Sequence, residues 1–425
     1  MKRTYLLLLL LAVLGVAFSQ TTKEELFATP EKTAGVYYTY PDQDIVSYTA
    51  PPKGFEPFYI SHFGRHGSRY LISDSDYKNV LDKFEDANKN NALTILGKDV
   101  YSRLQQVWKE AKFRGGDLSP LGIQEHKGIA KRMHENYPQV FAKDGQYSAC
   151  ATTIVRCVLS MDAFCEQLKE MNSAMQIDRN SGMKWQRYLN HHTKEAIDFR
   201  SAKYTWKEEH RKFQQEHVKP QRLINSLFSD KDYIRKSVDP EEMMWQLFAI
   251  AGGMQNIETK LTFYDIFDKQ ELFDLWQCKN YKLYVNDANA AINGGLMFEN
   301  CKPLLKNILD GANHIISSKG KGADFRFAHD GNIIPLAMLL HLDGCYNSVS
   351  NPDEYYKTWS DFKVAPMAGN IQIVFFRKTK SDDILVKFML HEKEILVPPI
   401  KTDMAPYYHW KDVETYYTDL LNKKH

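Results

Sequence analysis

A chain of 425 residues, 43% of them hydrophobic, is long enough for one large domain or two to three ordinary ones with a buried core. Its 25% charged and 13% aromatic content excludes disorder, a collagen-like repeat and a coiled coil as descriptions of the whole. Lysine plus arginine (55) nearly balance aspartate plus glutamate (53), and loss of a leader carrying Lys2 and Arg3 would make the balance even. That argues against a general nucleic-acid or anionic-membrane surface.

The first 19 residues have the order of a cleaved export signal. Met1-Lys2-Arg3 is basic, residues 5–16 are almost wholly apolar, and Ala17-Phe18-Ser19 supplies small residues before a cut at Gln20. The run is shorter than the ~20 apolar residues of a membrane anchor and ends in small and polar side chains. An exported protein, periplasmic or secreted, is expected. The chain has no Asn-x-Ser/Thr site, which favours a bacterial source. Six cysteines (Cys150, Cys157, Cys165, Cys278, Cys301 and Cys345) permit disulfides in such a compartment. Cys157 and Cys165 share a predicted helix, about 12 Å apart along its axis, too far to bridge. No Cys-x-x-Cys or Cys/His cluster of zinc spacing occurs, and neither a metal nor another cofactor is expected.

Residues 57–62 read as a short buried strand that runs into Phe63-Gly64-Arg65-His66-Gly67-Ser68-Arg69-Tyr70. Val100, Leu104, Val107 and Trp108 share a helical face, stopped by Gly115-Gly116. Ser119 is a predicted N-cap with Pro120 in the first turn, opening a helix striped by Ile129, Met133 and Tyr137. A strand is predicted over 147–152, then a helix that buries Phe164, Leu168 and Met171. From about 172 to 285 strand patterns fade, and charged, aromatic-rich helices dominate. Residues 325–328 form another predicted strand, followed by a helix through Ile334, Met338 and Leu339 that ends near Gly344. Residues 371–377 and 384–390 read as an antiparallel hairpin near the sheet edge. This order predicts an α/β core (20–171 and 286–425) with a mixed, largely parallel sheet flanked by helices, interrupted by a mainly helical cap at 172–285.

In such sheets the chemistry gathers at the carboxyl ends of the strands, where two polar clusters fall: 65–69 and His329-Asp330. Arg-His-Gly-x-Arg sets two guanidinium groups around one imidazole, with a glycine that lets backbone approach a ligand. Guanidinium forks match phosphoryl oxygens and stay charged. A neutral imidazole between them can attack phosphorus and form a phosphohistidine, while the cations stabilise charge on the equatorial oxygens. Asp330 can protonate the leaving alcohol. A phosphate dianion beside it raises its pKa from about 3.9, so an acidic optimum is expected. The blander readings are a salt-bridged loop and a helix-capping aspartate.

The segment Ser61-His62-Phe63-Gly64-Arg65-His66-Gly67-Ser68-Arg69-Tyr70 closely resembles the signature of the histidine acid phosphatases. Its Ser68-Arg69-Tyr70 ending is most similar to the multiple inositol polyphosphate phosphatase branch, which includes phytases. Leu118-Ser119-Pro120-Leu121-Gly122 resembles the family's helix-opening segment. The stretch 152–164, with Arg156 and Ser160, resembles the one carrying its third phosphate-binding arginine, and Phe327-Ala328-His329-Asp330 resembles its distal His-Asp pair. The resemblance implies that His66 is the nucleophile, that Arg65, Arg69, Arg156 and His329 bind the phosphoryl group, and that Asp330 is the general acid. Two departures bear on substrate more than on reaction type. The inositol polyphosphate branch usually has His-Ala-Glu where Asp330 follows His329 directly, and Cys150-Ala151-Thr152 stands where many relatives have Arg-Ser-Thr.

Residues 179–203 hold Arg179, Lys184, Arg187, Lys194, Arg200 and Lys203 against Glu195 and Asp198. A cap with that excess over a phosphate site favours a polyanion such as an inositol polyphosphate, with Arg179, Lys184 and Lys194 as candidate contacts. The alternative is a solvated helix face. Three rival functions stand beside a phytase: a broad acid phosphatase acting on sugar phosphates, a phosphoglycerate mutase-like enzyme, and a phosphate-ester binding protein without turnover. The export signal argues against the second and the proton donor against the third. The expected partner is a small phosphate ester, with no nucleic acid and no membrane.

Overall fold

The computed structural model describes residues 21–41 and 47–423; the predicted leader and its cut lie outside them. Strands β1 (Phe55–Arg65), β2 (Gln146–Ala151), β3 (Ile177–Ser181), β4 (Gly322–Ala328), β5 (Asn370–Lys378), β6 (Ile384–Leu390), β7 (Lys393–Ile395) and β8 (Tyr407–His409) form one mixed sheet. Its order is β3-β2-β4-β1-β5-β6-β7, with β8 pairing to β6. The block β3-β2-β4-β1 is parallel, and β5 onward is antiparallel.

β1 is central, with β4 on one side and β5 on the other, and every residue from Phe58 to Arg65 is buried. A strand covered on both faces reads as a nearly continuous apolar run, which is why 57–62 stands out in the sequence. Alternation then divides the core. Tyr59 and Phe63 point into one cluster with Ile373, Phe375 and residues of the helices Pro240–Met254, Lys269–Asp287 and Leu296–Ser317. Ile60 points into the other with Phe325, Phe327 and the helices Pro120–Asn136 and Val155–Met171. Phe164 anchors this second side, its ring 5.0 Å from those of His62 and Phe325. Truncating it to alanine would cost about 3–5 kcal/mol.

The sequence pattern gives no sign of β3, which falls in the stretch read as helical. Four of its five residues are polar, so the alternation that marks a strand is missing. Pairing makes it: Tyr147 to Ala151 of β2 align with Ile177 to Ser181. The sheet therefore extends past the boundary expected at residue 171. Of the helices that follow, Met183–Leu189 packs on β2 and β4, and Pro240–Met254 and Lys269–Asp287 share an apolar cluster with β1. All six cysteines are buried free thiols. Among the described residues no helix is long and apolar enough to cross a membrane.

Candidate active site

Strand register assembles the site. Arg65 of β1 aligns with Ala328 of β4, so His66 and His329 leave the sheet side by side, ring centroids 5.7 Å apart. The His66 N–H donates to Ala328 O at 3.0 Å, extending the ladder by one bond. On the other side of β4, Ala151 of β2 aligns with Phe327, which brings the Thr152 hydroxyl within 3.1 Å of His329 Nε2. The helix Val155–Met171 starts just beyond and carries Arg156 in its first turn; His329 is the N-cap of the helix Asp330–Leu339.

Arg65 is fully buried. Its Nη1 donates to the carbonyls of Val36 and Ala365, and its Nη2 reaches Asp330 Oδ2 at 3.3 Å. Arg69 donates to Tyr70 O (2.7 Å) and to the Tyr37 hydroxyl (2.8 Å), and its guanidinium lies 4.6 Å from the centre of the Tyr37 ring. The Nε atoms of Arg65, Arg69 and Arg156 are buried and have no partner among the described residues. Asp330 is the one carboxylate there within ion-pair distance of any of the three. Three cations around one carboxylate, with donors left over, make an anion site.

The loop that holds His66 is pinned from below. A Cβ on Gly67 would stand 2.5 Å from Gly122 O, so only glycine fits between the loop and the Pro120–Asn136 helix. The Gly67 N–H donates to Ser160 Oγ at 3.1 Å. Buried Glu125 accepts from the Ser68 N–H and hydroxyl, both at 2.7 Å, and from the Tyr40 N–H and Thr39 hydroxyl at 3.0 Å. Burial pushes the Glu125 carboxyl up, and these donors oppose the push.

His66 Nδ1 lies 2.9 Å from Gly67 O. A carbonyl only accepts, so Nδ1 carries the proton and Nε2 keeps its lone pair. Burial, then the fields of Arg65, Arg69 and Arg156, hold this imidazole well below its ordinary pKa, in its neutral, nucleophilic form. His329 is pushed down to about 4, by burial first and Arg156 next. Asp330 is subject to opposed forces. Burial, the largest single force, raises its carboxyl, but Arg65, Arg69, His329 and the Gly331 N–H together outweigh it, and the balance lies below the usual value. Without substrate it is a carboxylate. A phosphate dianion among the arginines would offset their field and leave burial to favour the protonated acid.

The six residues predicted to do the chemistry thus come together at adjacent strand ends. The predicted cap contacts have partners of their own. Arg179 pairs with Asp162, Lys194 pairs with Asp198, and Lys184 Nζ lies 5.3 Å over the Trp185 ring. Sequence reasoning missed Tyr37, Glu125 and the role of Thr152. Thr152 closes a predicted strand, which was a usable signal; Tyr37 and Glu125 sit in segments with no motif of their own.

A family profile described as the histidine phosphatase superfamily (branch 2) matches residues 64–391, and the chain belongs to that superfamily. It is a phosphatase, acting on phosphate monoesters. No curated protein matches it in sequence. Among solved structures it is similar to the Bifidobacterium longum multiple inositol polyphosphate phosphatase in complex with inositol hexasulfate, at 16% identity and a TM-score of 0.77 over 91% of this chain and 97% of that one. The phytase from D. castellii matches at 14% identity and 0.67 over 92% and 85%. Hafnia alvei phytase in complex with myo-inositol hexakis sulphate matches at 12% and 0.51 over 87% and 98%. At these identities the likeness is one of fold.

Proposed function

We propose that this phosphatase is exported and hydrolyses inositol polyphosphates, phytate above all, through a phosphohistidine on His66. The protonation state of His66 carries the mechanism: Nδ1–H is held by Gly67 O, which leaves Nε2 as a lone pair amid three guanidinium groups. In the first step Nε2 attacks phosphorus, the ester P–O bond breaks, and the leaving oxygen takes the Asp330 proton. In the second, water attacks phosphorus, Asp330 takes its proton, and the P–N bond breaks to release phosphate. Arg65, Arg69 and Arg156 stabilise the charge on the transferring group in both steps, and His329 adds a contact on the β4 side. The Ser68-Arg69-Tyr70 ending and the inositol hexasulfate bound by the similar B. longum enzyme support the choice of substrate. The leader pattern of residues 1–19 supports export, and a mature protein that begins at Gln20 would bear it out.

Side-by-side rates on phytate and glucose phosphate test the substrate. A kcat/KM for phytate well above that for glucose phosphate is expected. The second reading, a broad acid phosphatase, is favoured by the pairing of Arg179 and Lys194 with neighbouring carboxylates, which leaves them less able to hold remote phosphates. Equal or reversed rates would select it.

A further inference from the structure

A cavity of about 600 Å³ opens between the helices Trp206–His217 and Lys269–Asp287, a size typical of small-molecule sites. Its wall includes Arg200, Trp206, Lys207, Lys282, Asn286 and Asp287. Arg200 is fixed there: its Nη2 donates to Asp287 Oδ1 at 2.5 Å and its Nε to Asn286 O at 2.8 Å. That pair neutralises itself. Lys207 donates to the Ser201 carbonyl, which leaves its charge uncompensated, and Lys282 makes no hydrogen bond or close ion pair among the described residues. The cavity therefore keeps two cations without a carboxylate. Two buried polar atoms of wall residues, Trp206 Nε1 and Asn286 Oδ1, also lack partners among the described residues, a deficit that native cores rarely leave.

One wall residue of the cavity, Asp287, approaches the residue that follows Asp330. A Cβ built on Gly331, whose N–H donates to Asp330 Oδ1 at 3.0 Å, would lie 3.8 Å from Asp287 Oδ1. Asp330 protonates the leaving oxygen, so the ring of the departing alcohol must lie on this side of the phosphorus. We infer that the cavity receives the remote phosphates of the bound substrate, held by Lys207 and Lys282; the inference rests on the inositol polyphosphate reading above. Because Arg200 already neutralises Asp287, the carboxylate at the rim does not repel an incoming phosphate.

The test is the full-length Lys207→Ala/Lys282→Ala variant, with inositol hexasulfate titrated by calorimetry and steady-state rates measured on phytate and p-nitrophenyl phosphate. Hexasulfate affinity should fall about tenfold and phytate KM should rise to match. The rates on p-nitrophenyl phosphate should stay unchanged, and added salt should weaken hexasulfate binding less in the variant than in the wild type. Unchanged hexasulfate affinity would overturn the inference, as would an equal loss on p-nitrophenyl phosphate. A wild-type enzyme that does not turn over phytate would overturn the substrate reading instead, and the titration separates the two because it needs no turnover.

Discussion

Two parts of this molecule are rich in positive charge, and they differ in what surrounds it. At the ends of β1 and β2, Arg65, Arg69 and Arg156 share a single carboxylate and keep buried Nε donors without partners. Across 179–203 the sequence is just as basic, yet Arg179 is matched by Asp162 and Lys194 by Asp198, with the latter pair's side chains 81% and 60% exposed. An exposed pair of that kind adds little stability and exerts little force beyond itself. A count of charges in the sequence cannot distinguish the two regions. The fold does, by deciding which cations are left uncompensated and desolvated.

The most severe way to break this comparison is His66→Ala. Turnover of every ester should vanish while the melting temperature and circular dichroism stay near wild type; residual activity near normal would mean that the arginine pocket does not serve a histidine nucleophile. Next comes Asp330→Asn, which should slow phytate by about 10²–10⁴-fold and p-nitrophenyl phosphate far less, because nitrophenolate leaves without a proton. Equal losses would make Asp330 a phosphate-positioning group. Arg69→Ala sharpens the contrast itself: kcat/KM should drop by about 10²–10³-fold, whereas Lys184→Ala with Lys194→Ala should change it less than about twofold. Comparable losses in the two variants would erase the distinction drawn between the regions.

The smallest effect expected is one of pH on stability. Burial is the first cause that drives His126 to about 3 and His192, His329 and His391 to about 4. Their unfolded values lie near 6.5, so between ~6.5 and ~4 the unfolded chain binds more protons than the native one. Stability present above that window is lost as pH falls through it. Asp287 and Asp361, raised to about 6 chiefly by burial, act in the opposite sense but are outnumbered. Melting temperatures at pH 7 and pH 5 should differ by a few degrees in favour of pH 7; a higher value at pH 5 would mean that these histidines are not buried neutral.

Much of the site was legible because its chemistry is contiguous with patterned elements. Arg65, His66 and Arg69 follow a strand whose two buried faces leave a clear apolar run, and Arg156 and His329 stand at helix starts after strands. Glu125 and Tyr37 were hidden because their partners, Ser68 and Arg69, are far along the chain and joined only by packing. β3 was hidden because an edge strand can be polar on both faces when its neighbour supplies the register. Part of the pairing within the charge run was hidden as well: the Asp162 that neutralises Arg179 lies on another element, and pairing across elements leaves no periodic trace. Lys207 and Lys282 went unremarked for the converse reason: each sits on a different helix, and only the fold brings them to one cavity.

The central claim is that a neutral His66, made nucleophilic at Nε2 by its Gly67 contact and flanked by uncompensated arginines, carries the phosphoryl group. Rapid mixing with substrate, an alkaline quench that preserves phosphohistidine, and mass spectrometry of the digested protein test it directly. The account predicts a phosphoryl group on His66 that forms and decays at least as fast as turnover and is absent in His66→Ala. Turnover with no phosphorylated enzyme, or a phosphoryl group carried by any other residue, would contradict it.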